Sequence, residues 1–143
     1  MKIKIIKKFD KKISDFIFTL RNKNYVRINS LDNKKIEKND HNFWFKKFLK
    51  KKNFFYIITY KSNLVGYVRL DKKKGYYYVS WALLKKYHGN KITKRSLNYV
   101  TNLKSIKYKA KIKRDNVASI KVAINSGFKR KLKRNQIYYF QKN

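Results

Sequence analysis

Two histidines, His41 and His88, are the side chains of this 143-residue chain that titrate near neutral pH without help from their surroundings. Either has the right chemistry to take or give a proton during a reaction. Around the second lies YHGNKITKRSL, residues 87–97, between an apolar run, YYYVSWALL, and a polar segment with helical spacing. Strand, glycine and helix start together can cradle a phosphate, because the first N–H groups of a helix lack partners within it and its dipole favours negative charge. Lys91 stands where a second glycine would make that reading easy, and it can hold the turn only with a negative φ. A working phosphate loop, a degenerate one and an ordinary turn all remain open.

Other chemistry is narrowed by what the chain lacks. It has no cysteine, which excludes disulfides, thiolate metal sites and a cysteine nucleophile. Six aspartates and one glutamate, Glu37, are its whole acidic inventory, with no spacing that suggests a metal site. The net charge of +33 invites a nucleic-acid reading. Yet Lys, Asn, Ile, Phe and Tyr, all with AT-rich codons, supply 85 of the 143 residues, a profile that base composition alone can produce. The cations are 33 lysines against 7 arginines, spread along the chain, whereas base recognition favours arginine. Non-specific polyanion binding follows from such charge and says little about purpose. No run approaches the roughly 18 apolar residues of a membrane span, and MKIKIIKKFDKK is too weakly apolar for a secretory signal. A cytoplasmic protein without a membrane partner is expected.

The elements that must position these groups follow from periodicity. KIKII, residues 2–6, reads as a strand. Residues 12–23 place Ile13, Phe16, Ile17 and Leu20 on one helical face, and residues 37–51 do the same with Phe45, Phe48 and Leu49. FFYIITYK, LVGYVRLD and GYYYVSWALL are strands by their β-branched and aromatic content, joined by hairpins at SN and KKKG. A helix over about 91–102, a strand KYKAKIK, a helix in DNVASIKVAINSG capped by Asp115 and closed by Gly127, and a final strand pair ending in QIYYFQ complete the chain. This β-α-α-β-β-β-α-β-α-β-β order is an α/β (α+β) layout in one domain, residues 1–143.

The combination of YHG after an apolar strand with N-x-x-S…S-G-F, from Asn116 to Phe128, resembles the GNAT family of acyl-CoA N-acyltransferases. The likeness runs from about Leu20 to Phe140. It implies a mixed, mostly antiparallel sheet of about six or seven strands flanked by about four helices. It also implies acetyl-CoA as co-substrate and a small-molecule amine as acceptor. LRNKNYVRINS followed by DHNFWFKKFL is similar to a subgroup that acetylates nucleotide-linked amino sugars.

By that resemblance, Ala82, Leu83 and Leu84 meet the pantetheine arm through backbone groups, with the amide of Ala82 or Leu83 facing the thioester carbonyl. Gly89, Asn90, Lys91, Ile92, Thr93 and Lys94 cradle the pyrophosphate. Asn116 faces the reacting end with Ser119 one turn along; from the residues alone, Asn116 equally reads as a helix cap. His41 borders the acceptor cleft as base or orienting group, against a plain reading as a surface histidine beside Asp40. Ser80 or Ser119 stands as a proton donor. Asn22, Arg27, Ser30 and Trp44 are candidates for the acceptor, although helical spacing reads Trp44 first as core. Five positions depart from the family pattern. Tyr78 occupies the place of the usual strand carboxylate, and Ala123 that of the usual tyrosine. His88, Lys91 and Thr93 replace the Q/R-x-x-G-x-G/A signature. A GNAT-fold module without catalysis, or a basic nucleic-acid-binding protein, are the competing readings.

Overall fold

The computed structural model describes residues 1–89, 91–103 and 106–143. Seven strands form one sheet: β1 (Lys2–Ile5), β2 (Phe54–Tyr60), β3 (Asn63–Lys73), β4 (Tyr76–Leu83), β5 (Lys107–Lys113), β6 (Lys129–Arg134) and β7 (Ile137–Lys142). Their spatial order is β1-β2-β3-β4-β5-β7-β6. Every neighbouring pair is antiparallel except β4 and β5, which run parallel.

Alternation along the strands sends apolar side chains to both faces, so each face needs a cover. On one side, Phe55, Ile57, Tyr67 and Ala82 pack under α1 (Lys11–Arg21) and α3 (Lys38–Lys50), chiefly against Ile17, Leu20, Phe45 and Phe48. On the other, Tyr56, Ile58, Val68, Leu70 and Val79 pack under α4 (Ile92–Thr101) and α5 (Val117–Asn125). A four-residue helix, α2 (Asn24–Arg27), follows α1. It had no periodic signal, since one turn is too short to show one. No helix among the described residues is long and apolar enough to cross a membrane.

Local caps explain several boundaries. The Asp10 side chain accepts from the Ile13 amide at 3.0 Å and starts α1. For α5 the cap is Asn116, whose side chain accepts from the Ser119 amide at 3.3 Å, rather than the expected Asp115, which is exposed and faces Arg114. Gly127 ends α5 at φ 91°, a left-handed position that glycine takes without strain. The β2–β3 hairpin turns at Lys61 and Ser62, one residue earlier than SN. Both have positive φ, 49° and 66°, as a type I′ turn requires. Neither residue type favours that geometry, so strand pairing, not turn chemistry, sets the register.

Candidate functional site

β4 and β5 pair only from Tyr76–Tyr78 against Lys107–Lys109. β5 stays paired with β7 to its end, while β4 stays paired with β3, so the two strands part in the middle of the sheet. The parting opens a cleft of about 630 Å³. One wing lies toward α1 and α2, the other toward α5 and the start of α4.

The second wing is built largely by main chain. The Leu84 amide donates to the Val65 carbonyl at 2.8 Å. Antiparallel alternation then turns the backbone groups of Ala82 toward β3 and those of Trp81 and Leu83 toward the opening. Of the two amides expected to face a thioester, the geometry therefore turns Leu83 outward and engages Ala82 in the ladder. The Leu83 carbonyl accepts from His88 Nε2 at 2.9 Å and from the Tyr25 hydroxyl at 3.4 Å. A carbonyl can only accept, so the proton of neutral His88 sits on Nε2. Tyr25 in turn accepts from the Lys85 amide at 3.0 Å, tying α2 to the end of β4.

Beyond this clamp, Gly89 at φ 83° turns the chain, and Lys91 precedes α4 at φ 60°. That corrects the expectation of a negative φ: Lys91 is left-handed, a conformation costing a non-glycine residue about 1–2 kcal/mol. It is exposed, and its carbonyl still accepts the first helical bond from Arg95 at 3.0 Å. Thr93 and Gly89 line the cleft, whereas Ile92 is buried and would contribute only its amide. Asn90 lies outside the described residues. Asn116 and Ser119 both line the cleft, although the Asn116 carbonyl oxygen is occupied by its cap.

The first wing is built by side chains. Tyr67, Arg69 and Asp71 project from one face of β3, opposite Ala82, Ser80 and Tyr78 of β4. Asp71 is gripped by both ends of the Arg69 fork, at 2.6 and 3.0 Å. Trp44 lies behind, with the Arg21 and Arg69 guanidinium carbons 4.4 and 4.9 Å from its ring centroid. Ser80 is exposed on the cleft floor.

His41 does not border the cleft. It is fully buried, stacked on Phe45, with Nε2 donating to the Ser14 carbonyl at 3.0 Å and Nδ1 3.3 Å from Arg21 Nη1. Burial foremost, then the Arg21 charge, lowers its pKa to about 4; the Ser14 bond and Asp15 oppose the shift. A ring enclosed with both nitrogens engaged cannot reach an amine in the cleft, so the base role is withdrawn on geometry. The surface alternative fails too: His41 shares the buried face of α3 with Phe45 and Phe48, at a spacing the sequence reading did not use.

Asn22 is likewise occupied, exchanging two 2.8 Å bonds with the backbone of Ile36. Trp44 supports the wall without lining it. Arg27 and Ser30 do line the cleft. The residues that sequence reasoning missed are Arg21, Tyr67, Arg69 and Asp71. Period-two spacing in YVRLD places the last three on one strand face, but nothing in the sequence announces that the sheet parts beside them.

Solved structures share this architecture from end to end. An acetyltransferase of the GNAT family from Bacillus anthracis matches with a TM-score of 0.79 at 18% identity, over 99% of this chain and 94% of that one. The fold is the GNAT acetyltransferase fold. A ribosomal-protein-alanine N-acetyltransferase from Brucella melitensis matches at 0.79 and 14% identity, covering 99% of both chains. The Campylobacter jejuni N-acetyltransferase PseH, solved with acetyl coenzyme A, matches at 0.73 and 14%, covering 98% of this chain and 96% of its own. No family model and no curated protein sequence matches the chain.

Against the GNAT pattern described above, the departures have clear places. Tyr78 sits directly across the ladder from Asp71, so a carboxylate is present at that level but on the neighbouring strand. Ala123 is completely buried between α5 and the sheet, away from the cleft. Among the described residues no cluster of His, Cys, Asp and Glu could hold a metal ion.

Proposed function

We propose that this protein is an acetyl-CoA-dependent N-acetyltransferase acting on a primary amine. One observation carries the reading: β4 leaves β5 beside a glycine-turned loop that leads into α4, in a fold shared with acetyltransferases. The pantetheine arm would bond the outward backbone groups of Trp81 like an added strand, leaving the Leu83 amide for the thioester carbonyl. The unpaired amides at the start of α4, from Ile92 to Lys94, would hold the pyrophosphate.

In the reaction, the neutral amine nitrogen attacks the thioester carbonyl carbon. The carbonyl becomes an oxyanion, which the Leu83 amide stabilises. Collapse forms the amide bond and breaks the carbon–sulfur bond. The amine's surplus proton leaves through water toward Asp71, and the thiolate gains a proton relayed by the Ser119 or Ser80 hydroxyl, which takes one from water as it gives its own. A nucleotide-linked amino sugar is the best acceptor on the sequence likeness, with Arg27 and Ser30 on its path.

Calorimetric titration with acetyl-CoA tests this, using ATP as an equally anionic control in about 300 mM salt, where charge screening acts well within 10 Å. Micromolar acetyl-CoA binding clearly tighter than ATP, followed by amine-dependent CoA release, is expected. Equal affinity for both would leave only a polyanion-binding surface, and tight binding without transfer a non-catalytic module.

A further inference from the structure

Arg21 closes α1, where a cation at a helix end needs no further reason. Its side chain nevertheless turns inward. The guanidinium lies over Trp44, and its Nη1 meets His41 Nδ1. Because His41 donates to the Ser14 carbonyl through Nε2, its Nδ1 carries a lone pair that accepts from Arg21. A buried ring and an indole thus orient one arginine on the cleft wall.

What Arg21 lacks is an anion. Among the described residues no carboxylate comes within 4.0 Å of it. The nearby Asp71 is already held by the Arg69 fork. Burial, and then the charge of Arg69, disfavours the Arg21 cation, with Tyr67 and Asp71 acting the other way. An arginine kept partly desolvated without a counter-charge is costly unless something else completes it. The phosphates of acetyl-CoA are poorly placed to do so. Their cradle begins α4, which packs on the face of the sheet opposite to α1.

We propose that Arg21, positioned by His41 and Trp44, binds an anionic group, a phosphate or a carboxylate, carried by the acceptor amine. This rests on the acetyltransferase reading of the cleft and adds the residue that meets the acceptor's charge. The planar fork fits either group with two parallel bonds. Arg27 and Lys34, further along the same wall, outnumber Asp32 between them and favour the same sign.

Three sugars with one amine separate the cases: glucosamine, glucosamine 6-phosphate and muramic acid, which carry no anion, a phosphate and a carboxylate. Their affinities are measured for the parent protein, Arg21→Met and Arg21→Lys in about 300 mM salt to suppress diffuse attraction. The parent is expected to prefer one charged sugar over glucosamine at least tenfold; which one identifies the anion. Arg21→Met, which still covers Trp44, should lose that preference, and Arg21→Lys should keep part of it. Equal preference in the parent and Arg21→Met, or none in the parent, overturns the proposal. Acetyl-CoA titrated into each variant keeps the two readings apart: its failure to bind the parent sinks the enzyme reading, whereas unchanged acetyl-CoA affinity with no anion preference sinks only this one.

Discussion

The two wings of the cleft are made of different material. On the side proposed for the cofactor, the groups on offer are amides of Leu83 and the first turn of α4, beside a carbonyl shared between His88 and Tyr25. On the side proposed for the acceptor they are the heads of Arg21, Arg69 and Asp71, backed by Trp44 and a buried histidine. Main-chain chemistry tolerates side-chain drift, so Lys91 and Thr93 can stand in a loop that usually carries glycines. Side-chain chemistry does not, since replacing any one head changes the charge and the geometry together. Sequence change should therefore cost little in one wing and much in the other.

The largest effect is expected behind the acceptor wing. His41 titrates near 6.5 when unfolded and about 4 when folded. Between those values the unfolded chain holds more protons, so stability is full above about 6.5 and falls as pH drops toward 4. The span corresponds to about 3 kcal/mol. Asp15, whose pKa is lowered by Lys11 and Lys38, sheds its contribution only below its ordinary range near 3.8, outside this window. Urea unfolding at several pH values should show a steep acid loss for the parent and a shallower one for His41→Gln, which can still donate to Ser14. Parallel slopes would mean that the ring is solvated after all.

A smaller effect is expected where the cofactor wing does depend on a residue. A Cβ on Gly66 would lie 2.5 Å from the Ala82 carbonyl oxygen and 2.6 Å from Leu83 Cδ1. The oxygen is backbone and cannot rotate away, so β3 and β4 must separate beside the Leu83 amide. Gly66→Ala should cost about 2 kcal/mol in thermal unfolding and weaken acetyl-CoA in parallel. A parent-like melting temperature with weakened cofactor would instead show a tilt confined to the opening.

These contrasts also mark what was legible in the sequence. Strand and 3.6-residue spacing gave the strands that bury a face and the four longer helices, because those periods reflect which side chains each element buries; β6, exposed throughout, was legible only as the partner of β7. His41 was read as a cleft base or a surface histidine, and neither holds: it lies one helical turn before Phe45 on the buried face of α3. The Asn116 cap was visible as one of two readings. The parting of β4 from β5 was not, because it concerns backbone groups that every residue shares. Without it, Arg69 and Asp71 read as an ordinary polar strand face, and Arg21 as a helix-end cation.

Asn116 sharpens the boundary between the wings' two kinds of chemistry. Asn116→Ala removes the cap on the Ser119 amide and should cost about 1 kcal/mol. Asn116→Asp restores the cap but places a carboxylate on the cleft proposed to hold an anionic cofactor. Stability should return in that variant while acetyl-CoA affinity does not. Recovery of both would leave Asn116 a cap alone.

The smallest effect tests whether the loop lysine is tolerated or used. At φ 60°, Lys91 carries left-handed strain of about 1 kcal/mol or more, which Gly relieves, offset by the greater freedom glycine has when unfolded. Lys91→Gly should therefore gain about 0.5 kcal/mol in chemical unfolding. Its ammonium is exposed, so any attraction to the cofactor's phosphates is screened by salt. Acetyl-CoA affinity should fall slightly at low salt and converge with the parent's as salt rises. An affinity loss that persists at high salt would show Lys91 bonded directly to a phosphate, and the cofactor wing would then also depend on a side-chain head. No loss at any salt, with the gain in stability, leaves the lysine a passenger in a cradle made by the main chain.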